Sequence, residues 1–307
     1  MSMNDLYEAA GIKNAIINPN IAHLILDGNE VKGTNMVHGL NVKTEETEKG
    51  AKIKLTVEEG NIIEKPVHMC FGMSNREGVQ KIDMEINVED NSKINILSHC
   101  VFPDATDVKH LMNSVVNVGK NAEYMYLEKH IHSEEGEIEV VPEAEVFLDE
   151  GAKFETDFEL LKGRVGKIDI KYKTVGGKDS VTKMTAKIDG KMDDKIDIKE
   201  ICHLNGEGSR GVLETRVAAR DKTEANVYNE MIANAAKAKG HVDCKEIVKD
   251  DGEAKAVPVV QVNHPKAHVT HEAAIGSVDR KQLETLMSRG LSEEEGTDLI
   301  IKGLLNG

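Results

Sequence analysis

The residues best suited to carry chemistry are four cysteines, Cys70, Cys100, Cys202 and Cys244. They lie too far apart for a CxxC knuckle, so a single-chain zinc finger is not expected. Each nonetheless has a histidine within three positions: His68, His99, His203 and His241. In an intracellular chain the ordinary role of any one cysteine is that of a small buried hydrophobe, and Cys70 and Cys202 are read that way. His264, His268 and His271 have a zinc-like spacing, but in an extended segment His268 and His271 point to opposite faces. The order after His271 is Glu-Ala-Ala, so the HExxH pattern of zinc peptidases is absent. Residues 206–211 satisfy GxGxxG, yet Val212 to Val217 alternate like a strand where a dinucleotide fold needs a helix. No GxxxxGK[ST] occurs, and Gly177-Lys178 is followed by Asp179, so this chain is not expected to hydrolyse ATP alone.

What must position these residues is a repeat. Lys52, Lys93, Glu123, Lys153 and Lys195 each follow a turn or small polar residue and open a run of apolar/polar alternation. Repetition without long helical crossovers predicts strands coiling about a common axis, a β-solenoid, with an antiparallel sandwich as the alternative. The core must be thinly layered and aliphatic, because the chain has no Trp and only five Phe and five Tyr. A solenoid also accommodates 307 residues without a second domain, since each layer contacts only its neighbours. By propensity 222–239 reads as helix with Gly240 as its C-cap. Residues 256–275 read as strands and a turn. From Ser277 the period turns helical, with a stop at Gly290 and a Ser292/Glu295 capping box, which predicts a helical hairpin over 277–307. Leu299, Ile300, Gly303 and Leu304, widened by Ile301 and Leu305, exceed one packing face; the tail either caps the solenoid or docks a partner. The expected organisation is an N-terminal helical or irregular segment over 1–45, a β-helix core over 46–276 and the hairpin.

Charge narrows the partners. With 54 acidic against 39 basic residues the net charge is −15, which opposes nucleic acid and anionic membranes. The apolar run over 12–26 is broken by Lys13, Asn14, Asn18, Pro19, Asn20 and His23, and residues 1–10 lack a signal pattern, so the expected location is cytoplasmic. Scarce aromatic rings and the negative charge also oppose a groove for anionic sugars. A β-helix polysaccharide lyase using Asp193 and Asp194 is therefore a weak alternative.

Several ordered motifs resemble the SufB/SufD family of iron–sulfur cluster assembly scaffolds, over residues 50–307. Gly240-His241-Val242-Asp243-Cys244 resembles the segment ending in the family's cluster-building cysteine, and Val269-Thr270-His271-Glu272-Ala273 resembles its Val-Glu-His-Glu-Ala signature. Ser209-Arg210-Gly211-Val212-Leu213 is similar to its Tyr-Arg-Gly-Leu region, and His99-Cys100-Val101-Phe102-Pro103 to its Cys-x-x-Pro segment. Gln282-Leu283, Ser288 to Glu295 and Ile300 to Gly303 resemble the segment on which the family docks an ABC-type ATPase, SufC. The resemblance implies a right-handed parallel β-helix that dimerises through its C-terminal turns. Each tail carries one SufC, with Leu283, Leu286, Leu299, Ile300 and Leu304 as docking residues. By the same resemblance Cys100 is expected to accept persulfide sulfur and pass it inside the β-helix toward Cys244. Cys244, Glu272 and His271 are expected to bind the iron of a nascent iron–sulfur cluster, later handed to apo iron–sulfur proteins. Two copies related by a two-fold axis supply thiolates plus exchangeable carboxylate or imidazole donors, which suits a scaffold and not an enzyme.

Two departures matter. Thr270 stands where SufB-type sequences carry the first Glu of Glu-His-Glu, and the long N-terminal region of bacterial SufB has no counterpart here. The implied roles are a short SufB-like subunit working as a homodimer, or a SufD-like structural subunit paired with another SufB. Keeping Cys244, Glu272 and His271 together favours the first.

Overall fold

Alternating apolar residues build a wall only if the chain turns sharply at each corner, and the corners here use left-handed backbone. Asn91, Asn121 and Asp179 have φ of 54 to 56°, and Gly151 and Gly208 adopt 70 and 73° at equivalent corners. Asn, Asp and Gly tolerate this region best. The corners stack, Asn91 N–H donating to the Lys120 carbonyl and Asn121 N–H to that of Glu150. The computed structural model describes residues 11, 17–136 and 138–306.

The strands form two sheets. The first contains β1 (His23–Asp27), β2 (Glu30–Asn35), β5 (Val67–Gly72), β7 (Lys93–Phe102), β9 (Glu123–His132), β11 (Lys153–Lys162), β13 (Val181–Gly190), β15 (Arg210–Ala219), β17 (Lys239–Val248) and β19 (His268–Gly276). The second contains β3 (Leu40–Thr47), β4 (Gly50–Val57), β6 (Glu77–Val88), β8 (Asp107–Val118), β10 (Ile138–Leu148), β12 (Lys167–Gly176), β14 (Lys195–Leu204), β16 (Glu224–Ala233) and β18 (Glu253–Val262). From β4 onward consecutive strands alternate between sheets and pair in parallel with the strand one coil away. The fold is thus the expected parallel β-solenoid. Strands of the first sheet begin at Lys93, Glu123, Lys153, Val181, Arg210, Lys239 and His268, 28 to 30 residues apart. The larger gaps seen around Lys52 and Lys195 arise because those residues begin or lie in strands of the second sheet.

Inward positions form one continuous aliphatic core, from Leu24 and Leu26 through Ile53, Ile96, Ile170 and Leu213 to Val242. Outward positions form ladders of opposite charge between coils, such as Lys109–Glu139–Lys167 at 2.7 and 2.8 Å. Exposed pairs of this kind contribute little individually, and fix register more than stability.

Two expectations need correction. The boundary at residue 46 is no edge of the core, because β1 pairs with β5, β3 with β4, and Leu24 and Leu26 share the core of Ile53. The helical or irregular segment expected over 1–45 lies, for 1–10 and 12–16, outside the described residues; from His23 the chain forms β1, β2 and β3. The helix expected over 222–239 is instead β16 and the start of β17. Ala225, Val227, Asn229, Met231 and Ala233 all face inward and buried, and ladders on both sides outweigh a propensity of a few tenths of a kcal/mol per residue. Two helices follow the solenoid, α1 (Arg280–Met287) and α2 (Glu293–Asn306).

Candidate functional site

In a parallel coil, a polar side chain that faces inward meets residues two along its own strand and residues one coil away, not the next residue in the chain. Cys100 stands in register with His130, and Ser98 with Glu128. Cys100 Sγ lies 3.7 Å from Glu128 Oε1, whose other oxygen accepts from Tyr172 OH at 3.1 Å. His130 Nε2 is 2.8 Å from Glu128 Oε1, and its Nδ1 is 3.1 Å from His132 Nε2. His132 Nδ1 donates to the Arg164 carbonyl at 3.0 Å. Cys100, Glu128 and His130 are fully buried, and among the described residues they are the one group of three potential metal-binding side chains gathered within 4.8 Å. Burial pushes the Cys100 thiol well above its usual range and the Glu128 carboxyl up to about 7. The same cause pulls His110, His130 and His132 down to about 3, so all three are neutral imidazoles.

From Tyr172 the polar row continues along the second sheet. Tyr172, Glu200 and Asn229 are register neighbours on β12, β14 and β16. With its amide turned to satisfy its neighbours, Asn229 donates to Glu200 Oε2 at 3.3 Å and accepts from Thr215 Oγ1 at 2.7 Å. The amide end that faces Thr215 is also 3.4 Å from Cys244 Sγ. Burial raises Glu200 to about 8, and burial followed by the nearby Glu246 raises the Cys244 thiol to about 12.

The C-terminal end of the solenoid is open. Among the described residues no strand pairs the outer edges of β18 and β19, and Val260, Val262 and Ile275 are exposed beside them. On β19, His271 pairs with Val242 and Glu272 with Asp243. His271 therefore shares the face of Cys244, whereas Glu272 points the other way, its Oε1 3.5 Å from Lys245 Nζ. Within one chain the three expected cluster donors are adjacent on the last two strands but do not converge.

The tail lies along the flank of the coil and leaves the end uncovered, so it is not an end cap. Ile301 and Leu305 bury against Ala218, with Leu161 and Ile247 alongside, and Arg220 joins Asp298 of α2 to Asp189 of β13. Ser292 and Glu295 make the reciprocal capping bonds at 2.8 to 3.2 Å. Leu283 and Leu286 pack over Gly296 and so hold α1 on α2. Leu299 is half exposed, with Ile300 and Leu304 partly so beside it. No helix among the described residues is long and apolar enough to cross a membrane.

Asp193 and Asp194 are no catalytic pair. Both are bound by Arg164, and the buried Asp194 also accepts the backbone N–H of Val165, Gly166 and Lys191. They clamp a corner. The sequence reading overlooked Glu128, His130, Tyr172, Glu200 and Asn229. It paired each cysteine with a histidine nearby in sequence, yet Cys100 is approached by the histidine one repeat on. Adding the 30-residue period to Cys100 would have found His130.

A family model described as SUF system FeS cluster assembly, SufBD core domain, matches residues 71–304. The chain belongs to the SufBD family. It is 40% identical over 267 residues to an iron–sulfur cluster assembly SufBD family protein of Methanocaldococcus jannaschii, covering 87% of this chain and 84% of that one. It is 35% identical over 301 residues to a SufBD family protein of Pyrococcus horikoshii, covering 98% and 92%. Similarity to the iron–sulfur cluster assembly protein SufB of Bacillus subtilis is more local, 26% over 151 residues, or 38% of this chain and 32% of that protein. SufBD membership and the solenoid agree with the motifs around Cys244 and His271.

Proposed function

We propose that this SufBD protein is a non-enzymatic scaffold on which an iron–sulfur cluster is assembled between two copies and then released to apo-proteins. The observation that carries this reading is the placement of Cys244 one strand from an open sheet edge, with His271 and Glu272 on the edge strand itself. A second copy closing that edge brings two thiolates, two imidazoles and two carboxylates to one two-fold axis. Exposed Val260, Val262 and Ile275 provide its apolar margin. Thiolate holds iron firmly, while the carboxylate and imidazole exchange more readily, so such a cluster is transferable.

Cys100, in this reading, accepts sulfur and the buried polar row through Glu128, Tyr172, Glu200 and Asn229 lines its route to Cys244. The sulfur arrives at the sulfane level from a persulfide or polysulfide donor, which leaves as its thiolate as the Cys100 persulfide forms, and because Cys100 is fully buried the coil must open locally for that exchange. ATP hydrolysis comes from a SufC-type partner seated on the exposed face of α2 around Leu299, Ile300 and Leu304. Because α2 is anchored to β13 and β15 by Ile301, Leu305 and Arg220, a pull on the tail reaches the coils next to Cys244. The deciding experiment is iron and acid-labile sulfide per chain after anaerobic reconstitution, for wild type and Cys244→Ala. Stoichiometric cluster in the wild type, lost in the variant, is expected; equal cluster in both moves the site to Cys70, Cys100 or Cys202, and absence of cluster in both removes the scaffold reading and leaves a structural SufD-like subunit.

A further inference from the structure

The interior group around Cys100 has an arrangement that sulfur passage does not require. The Arg164 carbonyl can only accept, so His132 Nδ1 carries a proton and its Nε2 is the bare nitrogen. His130 Nδ1 must then donate to His132 Nε2, which leaves the lone pair of His130 Nε2 facing Glu128 Oε1 at 2.8 Å. Tyr172 OH occupies Glu128 Oε2, and with Nε2 of His130 bare the 2.8 Å contact is a bond in which a protonated Glu128 Oε1 donates to His130 Nε2. Loss of that one proton and of the Cys100 thiol proton leaves an imidazole nitrogen, a carboxylate oxygen and a thiolate gathered at one point, the imidazole and the carboxylate fixed from behind. This is how second-shell partners prepare metal ligands, a histidine donating its far N–H so that its near nitrogen can bind. Arg164, which sets the tautomer, is itself held by Asp193 and Asp194.

A separate observation points the same way. His110, fully buried and with its ring centroid 6.0 Å from that of His130, has no hydrogen-bond partner on either ring nitrogen among the described residues. A buried imidazole without a partner is costly unless something binds it.

We propose that Cys100, Glu128 and His130 form an interior site for one divalent first-row transition metal ion, of the Fe(II) or Zn(II) class, with the His110 imidazole packed beside it. One thiolate and one carboxylate neutralise a divalent cation, so the loaded site puts no net charge into the coil. Tetrahedral N, O and S ligands lie about 3.3 to 3.5 Å apart; the 2.8 Å and 3.7 Å separations here bracket that spacing. The second sheet is weakest beside Glu128. Pro142 interrupts the ladder between β10 and β12, whose pairing skips Val141 and Pro142. Beside it a cavity of about 30 Å³ runs from Ser114 and Glu143 to Glu128 and Tyr172. Binding releases the Cys100 thiol proton and any proton on Glu128, and no redox step is involved. Metal and sulfur compete for the same thiolate, so Cys100 is a metal ligand at rest and accepts sulfur only once the metal has left.

The test is anaerobic titration of the full chain with Co(II) and no sulfide, which separates it from cluster assembly. The expected result is one Co(II) per chain with a thiolate charge-transfer band and tetrahedral d–d bands. Both signals should disappear in Cys100→Ser and persist in Cys244→Ala. Glu128→Gln, close in shape, should weaken binding at least tenfold, and His132→Phe by about 10- to 100-fold through loss of the positioning bond. Absence of the bands in wild type overturns the proposal without touching the Cys244 scaffold reading. So does their survival in Cys100→Ser, or their loss in Cys244→Ala.

Discussion

Cys100 and Cys244 lie inward on the same sheet, five strand steps apart and two residues out of register, at the two ends of one buried polar row. At about 4.8 Å per strand the separation along the axis is about 24 Å. Ser98, Glu128, Phe158, Ala186, Thr215 and Cys244 form one column of the first sheet, and Phe158 and Ala186 interrupt it with apolar groups. The polar row avoids them by crossing to Tyr172, Glu200 and Asn229 on the second sheet. Asn229→Leu should therefore slow cluster formation on Cys244 several-fold without unfolding the coil. The initial rate of anaerobic reconstitution with polysulfide as the sulfur source and dithiothreitol as the reductant, with circular dichroism as the folding control, measures this; an unchanged rate would remove Asn229 from the route.

The tail separates anchoring from docking. Leu299→Asp with Ile300→Asp should abolish co-purification of a SufC-type ATPase while thermal unfolding stays near wild type. Ile301→Asp puts a charge on the buried side, so it should detach α2 and destabilise the chain by about 2–5 kcal/mol. ATPase retained by the first variant would relocate the docking surface.

At the open end, Val262→Lys with Ile275→Lys places two charges on the exposed edge. The expected outcome is a shift from dimer to monomer in light scattering after gel filtration, and loss of reconstituted cluster with it. A monomeric wild type would contradict the two-fold reading directly.

Asp194 is the corner residue most worth testing for stability. Asp194→Ala leaves the mostly buried Arg164 with the exposed Asp193 as its one carboxylate beside the Glu135 carbonyl, and strips the partners from three backbone N–H groups. A loss of about 3–5 kcal/mol is expected in denaturant unfolding. Because Arg164 also sets the His132 tautomer, Co(II) affinity should fall together with stability.

Glu200 links folding to pH. Burial holds its carboxyl at about 8 in the folded chain against an ordinary 4.5, so the folded state prefers it protonated. That preference is fully satisfied below about pH 4.5 and is lost as pH rises toward 8, by at most about 1.4 kcal/mol per pH unit. Glu200→Gln removes the dependence. Its melting temperature relative to wild type should be more favourable at pH 8 than at pH 5, and an equal difference at both would refute the assignment.

Local information determined the repeat, the corners and the tail. Left-handed Asn, Asp and Gly before an alternating run, and Ser292 with Glu295, act over a few residues and are readable in the sequence itself. The same alternation sets which side chains face inward, so Cys100 and Cys244 were assignable to the interior once the strands were known. What the sequence could not decide alone is which interior residues meet. Neighbours along the chain point to opposite faces, so His99 turns away from Cys100, while His130 and Glu128 arrive from one coil on and Tyr172 from the facing sheet. Residues 222–239 show the same limit in secondary structure, where helix propensity yields to ladders on both sides. Contacts across coils depend on the exact count of residues in each turn, and only the closed coil fixes that count.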